Sequence, residues 1–182
     1  EPMGVVAVIS PWNFPTATAS WKIAPALAFG NAVIWKPANL TPASAVLLAE
    51  IIAKQDIPAG LFNLVMGSGS SVGEKLITSE TIDAITFTGS LAVGKRVAVA
   101  AASNLTKFQL EMGSKNALIV LDDADLDNAA DCAVNGAFGG SGQKCTASSR
   151  LIVTAGVHDE FVAKVKERMV KLKVGGALEE GV

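Results

Sequence analysis

The sequence predicts an α/β fold: a parallel sheet with crossover helices over residues 1–112, followed by part of a second α/β unit over residues 113–182. Three observations predict it. Short β-branched runs alternate with longer helix-compatible stretches, glycine and proline mark most of the changes, and the pattern restarts after Gly113. A crossover helix covers one sheet face and returns the chain in its original direction, so this alternation favours parallel pairing.

The elements follow in order. Val5 to Ile9 is an apolar run that the rigid segment Ser10-Pro11-Trp12-Asn13-Phe14-Pro15 stops, because two prolines restrict the backbone and remove amide donors. Trp21 to Phe29 suits a helix with an apolar face, and Gly30-Asn31 turns the chain into a strand from Ala32 to Trp35, ended by Lys36-Pro37. Thr41-Pro42 places a candidate N-cap before a proline at the first helical position, and Ala43 to Lys54 supplies the helix. Leu61 to Val65 reads as a strand, Gly67, Gly69 and Gly73 surround the next helix start, and Ile82 to Phe87 reads as another strand. A helix from Ala92 to Ala102 and a strand from Thr106 to Leu110 close the series. The second unit reads as a strand over Ala117 to Leu121, a helix through Ala137, a Gly-rich turn, a strand over Leu151 to Thr154 and a charged amphipathic helix from Asp159 to Leu172.

With 182 residues, 50% of them hydrophobic, the chain fits one large or two small globular domains and not a disordered tail. Fifteen basic against seventeen acidic residues leave no basic field of the kind nucleic-acid binding needs. No apolar stretch reaches the roughly 18 residues of a membrane span, and no signal-like start precedes Val5. The expected compartment is the reducing cytoplasm, with neither nucleic acid nor membrane as partner. The opening at Glu1-Pro2 directly before a strand, and the close at Glu179 to Val182 without a terminal element, suggest a piece of something longer.

Cys132 and Cys145 are the only cysteines and His158 the only histidine, which cannot complete a Cys/His zinc cluster, so no metal is expected. Asp122, Asp123, Asp125 and Asp127 lack the glycine and distal glutamate of a calcium loop, and helix capping is the better reading. The basic residues after Asp159 read as a solvated helix face shared with Glu160 and Glu167, and His158 as a helix-start residue. Cys132, among Ala129, Ala130, Ala133 and Val134, reads as a core residue.

Three residues can carry chemistry. Cys145 follows Gly139-Gly140-Ser141-Gly142-Gln143-Lys144, a turn where amides approach a ligand and the adjacent lysine favours a thiolate. Nucleophile and buried structural cysteine stand side by side as readings. Glu111 ends a strand-like run, where an open α/β sheet offers a carboxylate to a ligand, although an ordinary charged strand end explains it locally. Asn13 can stabilise an oxyanion through its amide or serve turn hydrogen bonding. Gly67 to Gly73 does not complete a dinucleotide fingerprint, and Phe87-Thr88-Gly89-Ser90 reads as a helix cap before it reads as a pyrophosphate site.

Taken jointly, Pro11-Trp12-Asn13-Phe14-Pro15, Trp35-Lys36-Pro37, Phe87-Thr88-Gly89-Ser90, Leu110-Glu111-Met112-Gly113 and Gly142-Gln143-Lys144-Cys145 resemble the aldehyde dehydrogenase superfamily in content, order and separation, from Gly4 through Gly176. The resemblance implies a partial Rossmann-like NAD(P)-binding domain over 1–112 and a partial catalytic domain over 113–182, within a longer, homo-oligomeric protein. Cys145 then corresponds to the nucleophile, Asn13 with the Cys145 backbone amide to the oxyanion stabiliser, and Glu111 to the general base that hydrolyses the thioester. No catalytic metal is implied. The cofactor residues implied are Ser10, Pro11, Trp12, Lys36, Asn39, Gly69, Gly73, Phe87, Gly89, Ser90, Met112 and Gly113. Lys36 takes the ribose hydroxyls, and Gly89 and Ser90 the pyrophosphate. Asn39 stands where many NAD-preferring members carry glutamate, which removes repulsion against a 2′-phosphate and opens the site to NADP as well as NAD. Ser114 departs from a second glycine after Glu111, and Gly139-Gly140 from larger residues before the cysteine.

The stretches Leu61 to Gly69 and Cys145 to Arg150 look especially similar to bacterial 2-oxoglutarate semialdehyde and succinate semialdehyde dehydrogenases, which implies an aldehyde or acidic semialdehyde substrate. Little autonomous activity is expected of this segment. The alternative from another functional class is a noncatalytic nucleotide-binding or structural fragment that needs a partner chain.

Overall fold

The computed structural model describes residues 1–182, which divide into two compact units, Glu1–Met112 and Gly113–Val182. In the first, β1 (Val5–Ile9), β2 (Ala32–Lys36), β3 (Phe62–Leu64), β4 (Ala84–Gly89) and β5 (Lys107–Met112) form one sheet in the order β3-β2-β1-β4-β5. Every pair is parallel. The helices α1 (Ala17–Ala28), α2 (Pro42–Ala53), α3 (Glu74–Thr78) and α4 (Leu91–Ser103) make the crossovers, and a π-helical turn over Gly69–Gly73 leads into α3. This is the Rossmann-like parallel sheet that the alternation of strand and helix predicts.

Side-chain alternation on the strands builds a core on each face of the sheet. Val6, Val8, Val33 and Trp35 pack with Ala19 and Ile23 of α1 and Ala45 of α2. Ala7, Ile85 and Phe87 turn the other way, against Leu76 and Ile77 of α3 and Val97 and Ala101 of α4. The chain reverses its direction of growth at β1, so β1 and β4 flank the switch point at whose carboxyl ends open α/β sheets place ligands.

The second unit is smaller. Parallel strands β6 (Asn116–Val120) and β7 (Ser148–Val153) carry α5 (Leu126–Phe138) and α6 (His158–Met169), with Val120, Ala130, Ala133 and Phe161 as the core. The Asp125 carboxylate accepts from the Asp127 and Asn128 amides, both at 3.1 Å, and so caps α5. Asp127 and Asp131 instead bind Lys164 and Arg168 of α6 and tie the two helices together.

Several local expectations change. The first helix begins at Ala17 and carries Pro25 inside it, because the preceding turn tightens at Phe14 to Thr16 and sets the helix four residues early. Thr41 makes no capping hydrogen bond, and its buried hydroxyl has no partner; Pro42 at the first turn lacks the amide that would otherwise need one. Cys132 is exposed, since the buried stripe of α5 runs through Ala130, Ala133 and Val134 and leaves position 132 on the outer face. No helix is long and apolar enough to cross a membrane.

Candidate active site

At the carboxyl end of β1 the buried Ser10 hydroxyl accepts from Trp35 Nε1 at 2.8 Å, and the Ser10 amide donates to the Lys36 carbonyl at 3.2 Å. These bonds fasten the Pro11 to Pro15 segment to β2, with Pro11 and Asn13 half-buried and Trp12 exposed. Lys36 is buried at the end of β2, where its ammonium donates to the Pro37 carbonyl at 2.7 Å and desolvation pulls its pKa down. Gly73 packs beside it, since a Cβ there would stand 3.7 Å from Lys36 Cδ and Cε. Gly69 has open space around it, and Asn39 is exposed in the turn after β2.

At the end of β4 Phe87 is buried and Gly89 crosses its ring, where an added Cβ would approach Cζ to 2.5 Å. Ser90 caps α4: its hydroxyl accepts from the Val93 amide at 3.4 Å. Its capping role accords with the local reading, and the same helix start points unpaired amides at any anion above it. A dinucleotide needs a donor for ribose hydroxyls and a positive helix end for its diphosphate. A buried ammonium at the end of β2 and the capped start of α4 supply that donor set, so the residues present fit the group.

Glu111, the penultimate residue of β5, sits in a side-chain ladder between strands. Register pairs Thr86 with Gln109 and Thr88 with Glu111, and their side chains meet accordingly. The Thr88 hydroxyl donates to Glu111 Oε2 at 2.9 Å, Lys22 Nζ lies 3.1 Å from the same oxygen, and Gln109 Nε2 donates to Oε1 at 3.2 Å. Burial pushes the carboxyl up, but the Thr88 hydroxyl, the Lys22 hydrogen bond and charge and the Gln109 amide together hold it below its ordinary value. Lys22 is buried on α1, while the Glu111 side chain remains 48% exposed and open to water. The result is an ionised, solvent-facing carboxylate at the carboxyl end of a parallel sheet. Met112 turns to the opposite face and packs with the α3/α4 core.

In the second unit Cys145 lies in the turn before β7 and is exposed, which removes the buried-cysteine alternative. The chain reaches it through Gly140, Ser141 and Gly142, all with positive φ near 60°. A Cβ on Gly142 would lie 2.7 Å from the Ala137 carbonyl, so only glycine fits that close pass over the end of α5. Asn116 Nδ2 donates to the carbonyls of Cys145 and Ala147, at 2.7 and 3.2 Å, and pins the backbone on both sides of the thiol-bearing turn. No group of three or more His, Cys, Asp or Glu, the aspartates after Val120 included, is arranged so that it could hold a metal ion.

Sequence reasoning missed Lys22, Gln109 and Asn116, and it read Thr88 as part of a cap or pyrophosphate motif where the structure sets its hydroxyl against Glu111. A single charged residue in the otherwise apolar stretch from Trp21 to Leu27 was the available signal for Lys22, and the alternate polar positions on β4 and β5 were the signal for the ladder.

Against known proteins, the family model described as the aldehyde dehydrogenase family matches residues 1–182. The chain belongs to the aldehyde dehydrogenase family. Among its curated relatives, the alpha-ketoglutaric semialdehyde dehydrogenase of Bacillus subtilis is 50% identical over all of this chain, which spans 37% of that protein. The 2,5-dioxopentanoate dehydrogenase of Saccharolobus solfataricus is 48% identical over 99% of the chain and 38% of its own length. Solved aldehyde dehydrogenase structures superpose closely. Betaine aldehyde dehydrogenase from Staphylococcus aureus, in complex with NAD+, gives a TM-score of 0.97 at 40% identity, covering 100% of this chain and 36% of that one. An NADP-dependent enzyme of E. coli gives 0.97 at 42% identity over 100% of this chain and 38% of its own. The chain therefore spans little more than a third of the length of these family members.

Proposed function

We infer that this chain is the central segment of an NAD(P)-dependent aldehyde dehydrogenase that oxidises an aldehyde, and among aldehydes an acidic semialdehyde, to the carboxylate. One observation carries the reading: the ionised Glu111, held by three donors at the carboxyl end of β5 and open to water, is a carboxylate equipped to accept a proton. The semialdehyde preference draws support from the names of the two relatives near 50% identity.

In this reading the Cys145 thiolate adds to the substrate carbonyl, and the developing oxyanion is met by the Asn13 side-chain amide and the Cys145 backbone amide. NAD or NADP, when bound, supplies the hydride acceptor. Lys36 holds ribose hydroxyls, and the start of α4 at Gly89 and Ser90 holds the diphosphate. Ser10, Pro11, Trp12, Gly69, Gly73, Phe87, Met112 and Gly113 shape the same site. Glu111 takes a proton from water as that water attacks the Cys145 thioester, and the thiolate leaves. Asn39 places no negative charge against a 2′-phosphate, so both dinucleotides serve.

Single-turnover oxidation by the full-length protein tests the roles. Cys145→Ala abolishes the burst of reduced cofactor, while Glu111→Gln keeps the burst and loses thioester hydrolysis. A burst that survives Cys145→Ala overturns the assignment of the nucleophile. Initial rates with NAD and NADP test the cofactor reading, which no NADP turnover would sink.

A further inference from the structure

Gln109 has no part in the reaction as set out above, yet it makes more polar contacts around Glu111 than a strand residue needs. Its side chain lies on the Glu111 face of β5, two residues earlier, where the strand repeat puts it on the same side. Its Oε1 accepts the Thr86 hydroxyl at 2.6 Å and Lys22 Nζ at 3.4 Å. With the acceptor end of the amide facing two donors, the amide nitrogen is turned toward Glu111 Oε1, 3.2 Å away. The reverse orientation would set two negative oxygens against each other. Thr86 itself is fixed by its Lys22 contact at 2.9 Å and by its place on β4.

From this geometry we propose that Gln109, oriented by Thr86, is a positioning residue that holds the Glu111 carboxylate in its Lys22-bound pose and so sets the pH range over which Glu111 can act as base. The proposal rests on the assignment of Glu111 as the hydrolytic base. The charged groups around Glu111 are Lys22 from α1, Lys107 on the same face of β5, and Glu1 at the rim of the same hollow; β4 contributes only the neutral Thr86 and Thr88. Gln109 is thus the one uncharged donor to Glu111 on its own strand. The ionised carboxylate is a stronger hydrogen-bond acceptor than the protonated acid, so loss of this donor favours the protonated form. A carboxylate in place of the amide does so more strongly, because it adds a like charge and competes for Lys22.

The test uses the full-length enzyme and an activated p-nitrophenyl ester. Such an ester acylates the Cys145 thiolate with release of p-nitrophenolate and no hydride transfer, so decay of the thioester reports hydrolysis alone. In Gln109→Met the acidic limb of the hydrolysis profile moves to higher pH: the rate falls several-fold on the acid side and converges on that of the parent in alkali. Gln109→Glu moves the limb further the same way, and Thr86→Val moves it in the same direction with Gln109 left in place. A uniform loss across all pH values, or an unmoved limb in both Gln109→Met and Thr86→Val, overturns the proposal. Glu111→Gln separates the two layers: if it leaves hydrolysis intact the base assignment falls, whereas if it abolishes hydrolysis and the Gln109 and Thr86 variants keep the parent's limb, only the positioning role falls.

Discussion

The bond between Trp35 Nε1 and Ser10 Oγ joins the two strands that lead into the proposed cofactor site, and a double-mutant cycle on it has a defined expectation. Both side chains are buried, Trp35 completely, and the bond is 2.8 Å long. Trp35→Phe keeps an aromatic ring in the α1/α2 core but leaves the Ser10 hydroxyl without its donor. Ser10→Ala leaves the indole nitrogen without its acceptor. Each orphaned buried group costs about 1–3 kcal/mol, whereas removing both partners together avoids that penalty and leaves mainly the volume change. The two single variants are therefore each destabilised by about 2 kcal/mol, and the double variant by well under the sum of about 4 kcal/mol. With a urea m value of about 2 kcal/mol/M, each single change moves the unfolding midpoint by about 1 M. Urea unfolding followed by tryptophan fluorescence and circular dichroism reads the cycle. Strict additivity of the two losses would refute the claim that this hydrogen bond, and not packing alone, fastens the Pro11 to Pro15 segment.

Lys36→Met should leave folding intact, because it removes a charge that burial already disfavours, yet weaken the binding of NAD and NADP together by about tenfold or more, the worth of a charge-assisted hydrogen bond. Titration calorimetry with each dinucleotide checks it; unchanged affinity for both removes Lys36 from the site. Asp127 is bound by Lys164 and Arg168, whose hydrogen bonds hold its carboxyl below the ordinary value. A depressed folded-state pKa contributes stability above the unfolded-state value that is lost as pH falls through the folded one. Asp127→Asn should therefore destabilise the protein at neutral pH and converge with the parent at strongly acid pH; equal melting differences at both pH values would contradict the linkage.

How much of this could be read from the chain differs by element. The parallel pairing of the first unit was legible because its inner strands are apolar runs separated by helix-length spacers, and burial on both faces demands that composition. Strand ends were less legible. Leu110 closed the fifth strand by pattern, but pairing with β4 carries it through Glu111 to Met112, since Thr88 and Gly89 continue the ladder. Lys22 lies 89 positions from Glu111 and touches it only through the crossover of α1, and no local pattern records a contact at that separation. Cys132 misled for a different reason: its alanine neighbours fit any helix face, and only packing against α6 selects which of them is buried. Thr41 before Pro42 has the composition of a cap, yet its backbone carries the hydroxyl into a buried position away from the helix amides.

Met112 and Gly94 extend the reach of the site into the packing beneath it. Leu110 and Met112 point into the α3/α4 core, and Gly94 of α4 has no side chain where the Met112 sulfur lies against it. Because successive residues of a strand face opposite ways, seating these two apolar side chains dictates that Glu111 between them faces the Lys22 side. A slip of β5 by one position would bury the carboxylate and expose the methionine, so the hydrophobic effect acts as the proofreading step for the placement of the carboxylate. Larger residues at position 94, which would displace Met112, are then expected to impair the thioester hydrolysis proposed for Glu111 without touching the carboxylate or its three donors, a loss of chemistry that originates on the far side of the sheet.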